Sequence, residues 1–276
     1  MRAAVYYHSD FAEKGYITLR HRVKPGFDGL QDLIKAGHLE VLEPVINAES
    51  RELLANSHTA DLIKRVKAAG MHEVALLSAS GVIQAAEKLH NGSLDFAFCF
   101  VGTAGHHAGK NYCWGFCYYN DVAMAVKKLK ALSTNRIMII DVDPHSGDGT
   151  RDFVARDANI IHINFFEDED YPYEELNYNN YGILLNNCDD KKFLTALDEM
   201  LVRDWDFEFL IMIFGHDSHS LDYGDFNLTF NAYQELARKI RVFARGRPVL
   251  WVLSGGSNPQ VAATAIPTII KESLGL

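Results

Sequence analysis

A chain of 276 residues, 48% of them hydrophobic, can bury one sizeable core, and α/β domains of this length often do not divide, so a single domain over residues 1–276 is expected. A formal net charge of −9 with no run of Lys or Arg argues against a nucleic-acid-binding surface, which needs clustered cations to neutralise phosphate. No apolar stretch approaches the ~20 residues of a membrane span, and the amino terminus lacks an apolar signal segment with a small-residue cleavage site, so a cytoplasmic protein without a membrane partner is expected.

In chain order, residues 3–7 read as a first buried strand, and residues 52–68 and 76–89 have the apolar spacing of helices, the second closing at Asn91-Gly92. Residues 95–101 form the next apolar, β-branched or aromatic run, followed by a helical stretch at 122–132 and strands at 136–140 and 159–163. Residues 167–181, acidic first and then rich in Tyr and Asn, have no period and read as a long loop. Helical spacing returns at 191–202, 232–244 and 260–271, separated by strands at 209–214 and 249–253. Strands that are apolar throughout, alternating with helices, predict a largely parallel sheet covered on both faces.

Chemistry-bearing residues follow these strands. Asp141-Val-Asp-Pro-His145 follows the strand at 136–140, and Gly215-His-Asp-Ser-His219 follows the strand at 209–214. Carboxylates and imidazoles at the carboxyl ends of parallel strands lie where α/β sheets collect their ligands. Asp143 and His145, two apart, would face the same side of a strand end, and Asp217 would join them from the other strand. Two oxygen donors and one nitrogen donor suit a catalytic zinc, which keeps three protein ligands and one open position. Gly105-His-His-Ala108 follows the strand at 95–101, and its adjacent histidines offer a base for the attacking water and an acid for the leaving amine, with Asp141 and Asp148 available to orient them. The four cysteines form no CxxC pair; Cys113 and Cys117 have no second pair behind them and read as small buried hydrophobes rather than as zinc ligands.

Together, Gly105-His-His-Ala108, Gly115-Phe-Cys-Tyr-Tyr-Asn120, Asp141-Val-Asp-Pro-His-Ser-Gly-Asp-Gly-Thr150 and Gly215-His-Asp-Ser-His219 resemble the histone deacetylase family, which includes acetylpolyamine amidohydrolases. Weaker echoes are Asn56-Ser-His58, Asp225-Phe-Asn-Leu-Thr229 and Ser254-Gly-Gly-Ser-Asn258. The resemblance implies the three-layer arginase/deacetylase fold, with a central, mostly parallel eight-stranded sheet. It implies one zinc ion held by Asp143, His145 and Asp217, tandem catalytic histidines His106 and His107 bonded to Asp141 and Asp148, and His107 as the favoured general base. It also implies Phe116 as one wall of an acyl channel and Tyr171 as the opposing aromatic, and a potassium ion near Asp141 and the carbonyls around Asp143 and His145.

The sequence departs from the family's pattern at three places. Where active deacetylases carry an oxyanion-donating Tyr, this chain has Ser257, leaving Tyr171, Tyr112 or a water held by Ser257 or Asn258 to serve; losing one such donor typically costs about 10²–10³ in turnover. The Arg-Pro-Pro before the tandem histidines is replaced by Val101-Gly-Thr-Ala104, and the segment between Ala69 and Leu76 is short, which opens the rim of the site. The expected activity is therefore zinc-dependent hydrolysis of a small acylated amine, with acyl-lysine next and histone tails disfavoured. The alternatives are a metal-binding, catalytically weak homologue that recognises acylated ligands, and an arginase-like enzyme, which would need a two-metal cluster and a second Asp where this chain, in Asp217-Ser-His219, offers His219.

Overall fold

The computed structural model describes residues 1–167 and 179–276. Its centre is one eight-stranded sheet in which every pairing is parallel. The strands are β1 (Ala3–Tyr6), β2 (Glu40–Leu42), β3 (Phe96–Cys99), β4 (Ile137–Asp141), β5 (Ile160–Phe166), β6 (Asn180–Leu184), β7 (Phe209–Phe214) and β8 (Val249–Leu253), in the spatial order β2-β1-β3-β8-β7-β4-β5-β6. Every residue of β3, β4, β7 and β8 is buried, because helices cover both faces and leave no side of the strands to water.

Strand order decides where chemistry collects. The four central strands are β3, β8, β7 and β4, although their sequence order is β3, β4, β7, β8. Because all are parallel, the segments leaving their carboxyl ends emerge on one edge of the sheet: Gly105-His-His after β3, Asp141 to His145 after β4, Asp217 after β7 and Gly255-Gly256 after β8. Below that edge the core is built of large side chains. Phe98 and Trp251 are register partners across β3 and β8, and both are fully buried; truncating either to Ala would cost about 3–5 kcal/mol.

The expected helices are present with shifted ends, and one is two. Residues 52–68 divide into Ala48–Ser57 and Ala60–Ala68 at His58, whose backbone is extended, while the Thr59 side chain caps the second helix by accepting the Leu62 N–H. Periodicity alone runs through such a break, because the capped second helix keeps the apolar face of the first. Among the unforeseen elements are the short strands β2 and β6, the short helices Asp10–Glu13 and Gln31–Lys35, the helix Arg20–Asp28 with Pro25 inside it, and the helix Asp148–Val154, which begins within the motif itself. The loop expected at 167–181 ends early: Asn180 and Tyr181 belong to β6, paired with His162 and Ile163. Tyr171, the expected opposing wall, lies outside the described residues.

Candidate active site

The tandem histidines are held by backbone contacts from three elements. Thr150, in the helix Asp148–Val154, donates its N–H to the His106 carbonyl at 2.9 Å, Asn120 Nδ2 donates to the Ala108 carbonyl at 3.1 Å, and His58 Nδ1 meets the Gly109 carbonyl at 2.9 Å. His58 Nε2 in turn accepts the Asn120 N–H at 3.0 Å, which explains why the chain breaks its helix at His58. Gly149 permits this approach, since a Cβ there would lie 2.5 Å from the backbone at His107 and Ala108.

So fixed, His106 Nδ1 lies 3.0 Å from Asp141 Oδ2 and His107 Nδ1 lies 2.8 Å from Asp148 Oδ1. The two rings are 4.0 Å apart and both are buried, yet their charge states diverge. Burial disfavours the imidazolium of His106, but the carboxylates of Asp143 and Asp141 outweigh it and push the group up to about 9. Burial, joined by the neighbouring charge on His106, pushes His107 down to about 4 despite Asp148. Environment thus separates one cationic and one neutral imidazole, the pattern that divides electrostatic from base roles.

Asp143, His145 and Asp217 come together beyond the carboxyl edge of the sheet, each offering a ligand atom within 4.8 Å of the others. Both aspartates are fully buried. Their meeting does not depend on strand alternation, because β4 ends at Asp141 and residues 143–145 lie in the turn beyond it. His145 Nδ1 sits 2.9 Å from Asp143 Oδ1 and 3.3 Å from Asp217 Oδ2, while among the described residues Asp217 Oδ1 has no hydrogen-bond partner. A buried carboxylate oxygen left bare costs free energy unless a cation meets it. Burial, and then the Asp143 charge beside it, pushes Asp217 upward; burial opposes ionisation of His145, but the paired carboxylates push it up to about 11. Two carboxylates and one imidazole, with a buried carboxylate oxygen left bare, are a donor set that fits a small divalent ion of the zinc type. Gly215 and Gly255 leave no room for a Cβ between these carboxylates.

Phe116 stands at the mouth with φ of +66, after Gly115 at +57; a Cβ on Gly115 would press 2.5 Å from the His107 ring. A non-glycine residue held in the left-handed region costs about 1–3 kcal/mol, and such strain clusters at functional sites. Tyr16 stacks on Phe116 at 4.9 Å.

Three residues at the site carried no recognised sequence signal. Trp114 stacks on His107 with centroids 3.7 Å apart and donates its indole N–H to Asp148 Oδ2 at 3.0 Å. Arg22, wholly buried, donates to the carbonyls of Ser254 and Gly255. Tyr223 meets Phe116 edge to face at 6.0 Å and lies 6.1 Å from the His145 ring. Burial, with Asp217 and Asp143 near its hydroxyl, pushes the Tyr223 phenol up. Trp114 and Tyr223 flank motifs while Arg22 lies far from any, and nothing in one sequence marks the direction of their side chains.

Ser257 does not face the cluster. Its hydroxyl donates to Asp222 Oδ1 at 3.0 Å, and Asp222 also accepts the Ser257 and Asn258 N–H groups. His219 packs 4.4 Å from the Phe230 ring, outside the acidic cluster. Cys113 and Cys117 are free thiols, and Cys117 Sγ accepts the His107 N–H at 3.4 Å. Tyr112 lies against Gly109 at the rim.

Comparison with known proteins places these features in a wider set. The model of the histone deacetylase domain matches residues 30–273. Histone deacetylase 5 of Arabidopsis thaliana is 31% identical over 229 residues, 74% of this chain and 34% of the relative. A probable deacetylase of Archaeoglobus fulgidus is 31% identical over 205 residues, 68% of this chain and 57% of the relative. The chain therefore spans between about a third and somewhat over half the length of these relatives. The crystal structure of the HDA15 HD domain superposes with a TM-score of 0.85 at 19% identity, covering 99% of this chain and 90% of that one, and so shares its fold.

Proposed function

Since the chain belongs to the histone deacetylase family, we propose that it is a zinc-dependent amidohydrolase acting on a small acylated amine or an acyl-lysine. The carrying observation is the Asp143–His145–Asp217 cluster with a bare buried carboxylate oxygen, beside two histidines in opposite charge states. Asp143, His145 and Asp217 would hold the ion, which when bound supplies Lewis-acid polarisation of a carbonyl and makes water more acidic.

The chain's own residues do the rest. His107, neutral at physiological pH and fixed by Asp148, takes a proton from the attacking water as its oxygen bonds to the carbonyl carbon. Asp148 stabilises the imidazolium so formed. The C–N bond then breaks, its electron pair leaving with nitrogen, and the same imidazolium returns the proton to the departing amine, so that a carboxylic acid and an amine result, which exchange a proton to leave as carboxylate and ammonium at neutral pH. His106, held cationic by Asp143 and Asp141, favours negative charge at the reacting centre; a dication bound by Asp143 would temper its basicity. Phe116 and Tyr16 give an apolar wall suited to an acyl chain.

A second reading, a weakly catalytic binder of acylated ligands, is favoured only by the engagement of Ser257 with Asp222. The test is chelator-sensitive hydrolysis of acetyl-lysine and trifluoroacetyl-lysine amides by the zinc-loaded chain and by His107→Ala and Asp217→Ala. We expect each variant to lose at least about 10²-fold; binding without turnover on either amide would favour the second reading.

A further inference from the structure

The turn after β8 hands successive amides to different partners. Gly255 donates its N–H to Asp143 Oδ2 at 2.8 Å, Gly256 donates to Tyr223 Oη at 3.0 Å, and Ser257 and Asn258 donate to Asp222 at about the same range. The Tyr223 oxygen is therefore one residue along the turn from a carboxylate of the proposed metal cluster. Ser257, held by three hydrogen bonds to Asp222, is turned the other way.

The path of the turn depends on its glycines. Gly256 has φ of +106, and a Cβ there would lie 2.3 Å from the His216 ring; a Cβ on Gly255 would meet Asp217 Oδ2. Gly224, next to Tyr223, packs against the Asp217 carbonyl and Pro144 with no room for a side chain. Tyr223 is thus pinned on its carboxyl side to the loops that carry Asp143 and Asp217. Its ring is exposed at the mouth while its hydroxyl reaches the turn. The phenol accepts from Gly256, and among the hydrogen bonds of the described residues its own proton has no acceptor. A phenolic O–H with one lone pair occupied is left to donate.

From this geometry we propose that Tyr223 is the oxyanion donor of the site, its hydroxyl hydrogen-bonding the substrate carbonyl oxygen as negative charge develops there. The inference rests on the hydrolytic reading above. As the water oxygen bonds to carbon, the carbonyl π pair moves to oxygen, and the Tyr223 O–H stabilises that charge without transferring its proton. When the C–N bond breaks the pair returns, leaving the phenol unchanged. Donation from the loop after β7 would do what a residue at position 257 does not.

The experiment compares the zinc-loaded full chain with Tyr223→Phe on matched acetyl-lysine and trifluoroacetyl-lysine amides, with zinc content, zinc affinity and calorimetric affinity for a simple alkyl hydroxamate measured alongside. We expect acetyl turnover to fall about 10²–10³-fold, chiefly in kcat. The trifluoroacetyl reaction, whose carbonyl needs less assistance, should fall less. Zinc binding should be unchanged and hydroxamate affinity about tenfold weaker. An unchanged acetyl-to-trifluoroacetyl ratio with normal zinc content would overturn the donor role and leave the hydrolytic reading standing. Loss of zinc from Tyr223→Phe would assign it a structural role and overturn the proposal. A wild-type chain that cleaves neither amide would overturn the hydrolytic reading and the donor role with it.

Discussion

His145 Nδ1 sits between two carboxylates, and the proton it carries at neutral pH stands where a ligating ion would be drawn. A metal ligand must be deprotonated, so zinc binding at pH 7.5 should release about one proton from this residue, read as a dependence of the calorimetric heat on buffer ionisation enthalpy. Zero release would show that His145 is not displaced as a cation. Trp114 stacks on the His107 ring and shares Asp148 with it. Burial is the first cause of the low His107 basicity, so Trp114→Ala should admit water and move the acidic limb of kcat/KM upward from near 4 towards the ordinary histidine value of about 6.5. A limb that stays in place would assign the depression to His106 alone.

At the scale of elements, the helix Asp148–Val154 serves as a clamp on the tandem-histidine loop through Thr150 and through the absence of a side chain at Gly149. Overpacking against backbone cannot be relieved by a rotamer change. Gly149→Ala should therefore destabilise the fold by about 1–3 kcal/mol and displace His107, with an activity loss of about 10²-fold or more; a urea melt and the amide assay check the two parts. Equal stability and activity would mean that the helix can slide. The same argument explains the break at His58: a continuous helix through residues 52–68 would withdraw the ring that meets Gly109 and Asn120.

Over the whole molecule, several histidines are buried away from any carboxylate strong enough to charge them. Burial pushes His58 down to about 4 and His162, in β5, down to about 3. Both values lie below the unfolded value near 6.5, so the unfolded chain binds protons first and the stability these groups allow, complete above about 6.5, is lost as pH falls towards their folded values. Each costs about 2 kcal/mol by pH 5. His162→Leu should remove one share: relative to the wild type it gains about 2 kcal/mol between pH 7.5 and pH 5 in urea melts, and a constant difference would place the acid sensitivity elsewhere. No helix among the described residues is long and apolar enough to cross a membrane.

Local pattern was enough for the β/α alternation, the all-apolar central strands and the placement of Asp143, His145, Asp217 and the histidine pair after strand ends, because burial on two faces and the chemistry of ligands are written in residue type and spacing. It did not reveal β2 and β6, which are short edge strands with partly exposed residues, or the helix containing Pro25, because weak local preference is overridden there by packing. Nor did it show which way a side chain turns. Ser257 at a familiar position binds Asp222, while Trp114 and Tyr223, unmarked in sequence, lie against His107 and His145. Residue type and order are local properties of the chain, whereas strand order, the approach permitted by glycine and the direction of a side chain depend on contacts between distant segments, which exist only once the sheet has assembled.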